Sequence, residues 1–132
     1  MNLPPVDGSL VFPVASHECG HYVVARVLGF QPSRLSIVML WPNGHRGESE
    51  ISLHKELQTK QEILDFLDKR AQILCAGVMA EATKAGVLDN ARAIRLMESG
   101  GGADQDFAKY REIIYLMRNI KYGASVDEKE LQ

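Results

Sequence analysis

A chain of 132 residues with 45% hydrophobic and 24% charged side chains can bury one core, and it carries too much apolar sequence for a disordered tail. Fifteen basic against seventeen acidic residues leave a formal net charge of −2, which excludes the concentrated cationic surface of a general nucleic-acid binder and any net pull toward anionic lipid. Two cysteines, Cys19 and Cys75, are too few for a disulfide framework. Both fall in apolar, helix-like stretches and read as small buried hydrophobes in a reducing, cytoplasmic setting.

In chain order, residues 1–12, with Pro4, Pro5 and Gly8, read as an irregular lead-in that lacks the basic segment and apolar core of a secretory signal. Pro13 suits the first residue of a helix running to about Leu28, where Gly29 offers a left-handed stop. Residues 35–41 and 48–54 read as two antiparallel strands joined by a turn-rich loop at residues 42–47. Thr59-Lys60-Gln61-Glu62 has the form of a capping box and opens a long helix that carries Ile63, Phe66, Leu67, Leu74 and Val78 to near Gly86. A short helix over residues 90–98, a break at Gly100-Gly101-Gly102, and a last helix over 104–118 follow; Phe107, Tyr110, Ile114 and Met117 recur in that helix at helical spacing. The polar residues 125–132 read as a frayed tail. No apolar run approaches the ~20 residues of a membrane span. The expectation is a single domain over residues 1–132, mainly α with a small β-hairpin, in the α+β class.

His17-Glu18-Cys19-Gly20-His21 is an H-E-x-x-H pentad inside the first predicted helix. Four residues are slightly more than one helical turn, so both imidazoles leave the same face and can share one Zn²⁺. Glu18 lies about 100° round the helix from His17. It flanks the metal instead of competing for it, and can serve as general base toward an activated water. Gly20 leaves a bare patch for close approach of another element. A catalytic zinc takes three protein ligands and keeps one position open. The extended form with a third histidine in the same helix is excluded, because Val24 and Val27 occupy its positions. The third ligand must come from elsewhere: Glu81, Asp104, Asp106, His45 and His54 are the candidates. Asp104 reads as the N-cap of the last helix. Asp106, in its first turn, can aim inward from a rigid element.

Three ordered blocks resemble the FtsH-type zinc peptidase domain. They are His17-Glu18-Cys19-Gly20-His21, Ala76-Gly77-Val78-Met79-Ala80-Glu81 and Gly102-Ala103-Asp104-Gln105-Asp106-Phe107-Ala108. The family's blocks run approximately HEAGH, GRxAEE and GAxxDLxxA, and residues 35–40 and 47–52 resemble its substrate-side strands. The resemblance covers about residues 13–123. It implies a zincin-like helical peptidase domain with His17, His21 and Asp106 as zinc ligands, Glu18 as general base, and Glu81 fixing a ligand imidazole through its other ring nitrogen. Val78 replaces the family's arginine, Ala82 its second glutamate, and the segment between Glu81 and Gly102 is longer. The family's ATPase module and membrane anchor have no counterpart here, and no G-x-x-x-x-G-K-[ST] loop is present. The expected activity is therefore zinc-dependent hydrolysis of peptides or unfolded chains, with a separate ATPase and oligomerisation as possible partners. The competing expectation is a non-catalytic, zinc-stabilised peptide-binding or adaptor domain, or a subunit of a larger protease assembly.

Overall fold

The computed structural model describes residues 8–40, 44–98 and 100–123. Its elements are α1 (Gly8–Val27), β1 (Gln31–Leu40), β2 (Gly44–Ser52), α2 (Lys60–Ala82), β3 (Thr83–Lys84), β4 (Val87–Leu88), α3 (Asn90–Met97) and α4 (Asp104–Tyr122). The fold is mainly helical with a two-stranded antiparallel sheet, β1–β2, and a second, two-residue pairing, β3–β4. No described helix is long and apolar enough to cross a membrane. Residues 1–7 and the tail at 125–132 lie outside the described residues.

Helix α1 begins five residues before the expected start, so residues 8–12 are helical and not part of an irregular lead-in. Pro13 lies inside the helix, where it gives up one ladder donor. Buried Val14 anchors the same turn against the core. At the other end Gly29 (φ +85°) is the left-handed residue the sequence leads one to expect. Phe30 N–H donates to the Ala25 carbonyl at 2.9 Å and closes a Schellman motif.

The hairpin ladder is longer than the turn signals imply. Leu40 pairs with Gly44, Met39 with His45 and Ile37 with Gly47, so residues 44–47 belong to β2 and not to the loop. Apolar residues 37–40 carry the ladder on opposite residues 44–47, which the turn signals assign to the loop. Trp41, Pro42 and Asn43 lie outside the described residues. β2 ends at Ser52, two residues short of the expected limit at His54.

Helix α2 is the centre of the molecule. Thr59 caps it by accepting from Glu62 N–H at 3.1 Å, while Glu62 accepts from the Gln58 amide at 2.8 Å, one residue before the cap itself. Leu64, Leu67, Ala71, Ile73, Leu74, Ala76, Val78 and Ala82 are all buried along it. The helix stops at Ala82 and not near Gly86. Ala85 (φ 51°) and Gly86 (φ 78°) make the pair of left-handed residues of a tight hairpin turn between β3 and β4. Helix α1 packs on α2 through Gly20, where a Cβ would strike the Ala76 carbonyl oxygen and lie 2.8 Å from the Ala80 methyl. Beyond the site, Val78, Ala82, Ala93 and Ala103 form a small core, with Leu88, Leu96 and Met97 against it. Helix α4 contributes no buried residue: Phe107, Tyr110 and Met117 are half-buried and Ile114 is exposed.

The two cysteines are free. Cys19 is exposed, which corrects the expectation of a buried hydrophobe: it stands about 200° round α1 from His17, and the inward face is taken by His17, Gly20 and His21. Cys75 is half-buried, and its thiol pKa is pushed up by burial and by the nearby Asp106 charge.

Candidate metal centre

His17 and His21 leave α1 on its α2-facing side, and each is 7% exposed. Their rings meet edge to face at 4.7 Å between centroids. Each ring has its Nδ1 engaged: His21 Nδ1–H donates to the Ile73 carbonyl at 2.6 Å, and His17 Nδ1–H donates to Glu81 Oε2 at 3.0 Å. With both Nδ1 atoms committed as donors, neutral imidazoles present bare lone pairs at Nε2. The two Nε2 atoms stand 3.0 Å apart, and each is 3.0 Å from Asp106 Oδ2.

Three lone-pair-bearing atoms therefore form a triangle with 3.0 Å edges. Such a convergence is repulsive unless a positive charge sits at its centre, whether a shared proton or a metal ion. Donors at about 2.0–2.1 Å from a tetrahedral ion stand about 3.3 Å from one another, close to the spacing found. His17, His21 and Asp106 are thus a group that could hold a metal ion. The proton affinities tell the same story. Burial pulls the His17 pKa down, but hydrogen bonds and charge from Asp106 and Glu81 outweigh it and raise the value to about 9. Burial pushes Asp106 up, yet the two imidazoles hold its carboxyl well below the usual carboxylate range.

Two glycines make room for the arrangement. A Cβ on Gly77, in the interior of α2, would collide with His21 Nε2 and lie 2.7 Å from His17 Nε2, so the bare helix surface is the floor on which both rings rest. A Cβ on Gly47, in β2, would lie 2.8 Å from Glu18 Cγ and Oε1. The strand passes directly over that carboxylate, and Ser49 on the same strand clamps it. Ser49 Oγ lies 2.6 Å from Glu18 Oε2, to which its hydroxyl donates, and 2.9 Å from the Glu18 carbonyl oxygen. Glu18 is half-buried beside a cleft of about 710 Å³ into which His17, His21 and Asp106 also open.

Of the candidate third ligands, only Asp106 reaches the triangle. Glu81 lies beyond it, gripping the far side of the His17 ring. His45 is exposed on β2 and lines the cleft, whereas His54 is exposed past the end of β2 and does not. Asp104 also lines the cleft but is not the N-cap of α4. Ala103 holds that position, buried in the core, and Asp104 begins the helix with Oδ1 accepting from Gln105 N–H at 2.9 Å. Ser49, Gly47 and Gly77 were not singled out by sequence as site-builders. The alternation of Gly47, Ser49 and Ile51 with Glu48 and Glu50 is the signal the sequence offers for the first two. For Gly77, it was a glycine inside an otherwise strong helical pattern.

Comparison with protein-family models, curated proteins and solved structures gave no match to the chain.

Proposed function

We propose that the chain is a zinc-dependent metallopeptidase of zincin-like, FtsH-type character, acting on short peptides or unfolded chains. The observation that carries this reading is the convergence of His17 Nε2, His21 Nε2 and Asp106 Oδ2, with Glu18 adjacent over an open cleft. Two imidazoles and one carboxylate are a donor set that suits zinc. Bound there, zinc would act as a Lewis acid and lower the pKa of a water in the cleft toward ~7. The resemblance to the FtsH-type blocks gains support from the way their residues on α1, α2 and α4 meet at this one place.

The chain's own groups divide the remaining work. His17, His21 and Asp106 would hold the ion, while Glu81 and the Ile73 carbonyl keep both rings turned so that Nε2 faces inward. Glu18 accepts a proton from the attacking water and returns it to the leaving amine; Ser49 keeps its carboxylate aimed. An extended substrate would lie along β2, which lines the cleft and pairs only with β1 among the described residues, leaving backbone groups on its other edge for strand addition. Substrates that arrive unfolded, or are unfolded by a separate ATPase, suit an open cleft with no motor of its own among the described residues. The two free thiols support a cytoplasmic setting.

The experiment is metal analysis and cleavage of an unfolded protein by three forms of the chain. Wild type is expected to bind one zinc and cut. Glu18→Gln should keep the zinc and lose turnover by at least ~10²-fold, and His17→Ala should lose the zinc. Stoichiometric zinc with peptide binding but no cleavage in wild type would replace this reading with that of a zinc-stabilised binding domain.

A further inference from the structure

Of the five acids that line the cleft, three are held by other side chains; Glu48 and Asp104, like the cleft's cations, have no ion pair among the described residues. Glu18 is held by Ser49, Glu81 by His17, and Asp106 by both imidazoles. Three cations line the same cleft: Arg46 on β2, Arg70 on α2 and Lys109 on α4. Among the described residues none of them has a carboxylate within 4.0 Å.

Arg70 is the most constrained of the three. It is half-buried, whereas Arg46 and Lys109 are exposed. It also shares the face of α2 that builds the site, since Arg70, Leu74, Gly77 and Glu81 follow one another at spacings of four, three and four residues. Burial lowers its proton affinity and the Asp106 charge acts against that, so the guanidinium feels the ligand carboxylate without forming an ion pair with it. Lys109 lies one turn beyond Asp106 on α4, facing the same space. A partly desolvated guanidinium with five fixed donors and no acceptor is built for a planar anion.

We infer that Arg70, assisted by Lys109, receives a carboxylate of the substrate, so that the cleft favours peptides with an acidic side chain or a free C-terminus near the bond to be cut. Seven residues at about 1.5 Å each set Arg70 about 10 Å along α2 from Gly77, a distance an extended peptide covers in about three residues. The carboxylate therefore belongs within about three residues of the scissile bond. This inference rests on the peptidase reading and names its substrate class.

The test measures binding, so that it does not depend on turnover. Zinc-loaded Glu18→Gln protein is titrated calorimetrically with one peptide sequence in four forms: side-chain acid or amide, each with a free or amidated C-terminus. At least one carboxylate form is expected to bind about tenfold or more tightly than the fully amidated peptide, and which arm shows the gain identifies the source. Adding Arg70→Gln should erase that preference while zinc content and binding of the neutral peptide stay unchanged; adding Lys109→Gln should weaken it by less. Equal binding of all four forms, or no binding of any, overturns the inference. So does a preference that survives Arg70→Gln, which would assign the carboxylate to another group. Loss of zinc in the Arg70→Gln protein also overturns it, because Arg70 would then be a support for Asp106. Failure of the peptidase reading would show separately, as zinc-loaded wild type that binds these peptides and cuts none.

Discussion

The three groups that meet at the centre are held by two very different kinds of structure. His17 and His21 stand on α1 where it is pressed against α2. Gly20 and Gly77 remove the Cβ atoms that would hold the helices and rings apart, and each ring is pinned through Nδ1 by an acceptor on α2. Asp106 arrives on α4, a helix of 19 residues with none buried and no side-chain cap at its start. Two corners of the triangle are thus prepared by the core, and the third is delivered by a peripheral element. The contrast teaches that an ion at this site would do structural work as well: it would add a fastening between α4 and the α1–α2 pair to the contacts that Ala103 and Phe107 already make.

The largest effect should come from filling the prepared half. Gly77→Ala would put a methyl into both imidazoles, and is expected to abolish zinc binding at micromolar metal while far-ultraviolet circular dichroism still shows a helical chain. Retained stoichiometric zinc would mean the rings can retreat and that the floor is not essential. Loosening one pin should cost less. Glu81→Gln keeps the size of the side chain but weakens the grip on His17, and should lower metal affinity or turnover about 10- to 100-fold. Ser49→Ala leaves the metal group untouched and should lower turnover about several-fold with zinc content unchanged, Ser49→Thr restoring it.

The smallest effect is a drift with pH, and its sign is fixed by the direction of the His17 shift. In metal-free protein a proton shared with Asp106 stabilises the fold. That contribution is fully present below the unfolded histidine value of 6.5 and is lost as pH rises through about 9. Its acid counterpart, through the depressed Asp106, is present above the ordinary value of 3.8 and is lost below it. Thermal unfolding of metal-free protein should therefore soften between pH 6.5 and 9. Zinc affinity should strengthen over the same interval, because the ion must displace that proton. Parallel trends in the two measurements would contradict a proton and a metal competing for one place.

What was legible in the sequence was what a short stretch of chain decides alone. The Thr59 cap, the Gly29 stop and the same-face placement of His17 and His21 depend on local geometry, and all three appear as expected. What escaped was whatever a distant partner decides. Pro13 is tolerated inside α1, residues 44–47 extend β2 instead of forming a loop, and Ala85-Gly86 turns the chain after α2 stops early. Asp106 is the acid the sequence favours and the one that meets both imidazoles, but the ground for setting Asp104 aside fails, because Ala103 and not Asp104 caps α4. Cys19 also differs: the apolar helical stretch around it suggests burial, but its angle on α1 turns it outward.

Hydrogen–deuterium exchange on α4 during zinc titration tests most directly whether the ion closes the two halves. Amides of residues 104–122 are expected to gain protection in step with zinc occupancy in wild type, and to stay unprotected at the same zinc concentrations in Asp106→Ala. Protection of α4 that is already complete without metal, or that rises equally in Asp106→Ala, would contradict the account.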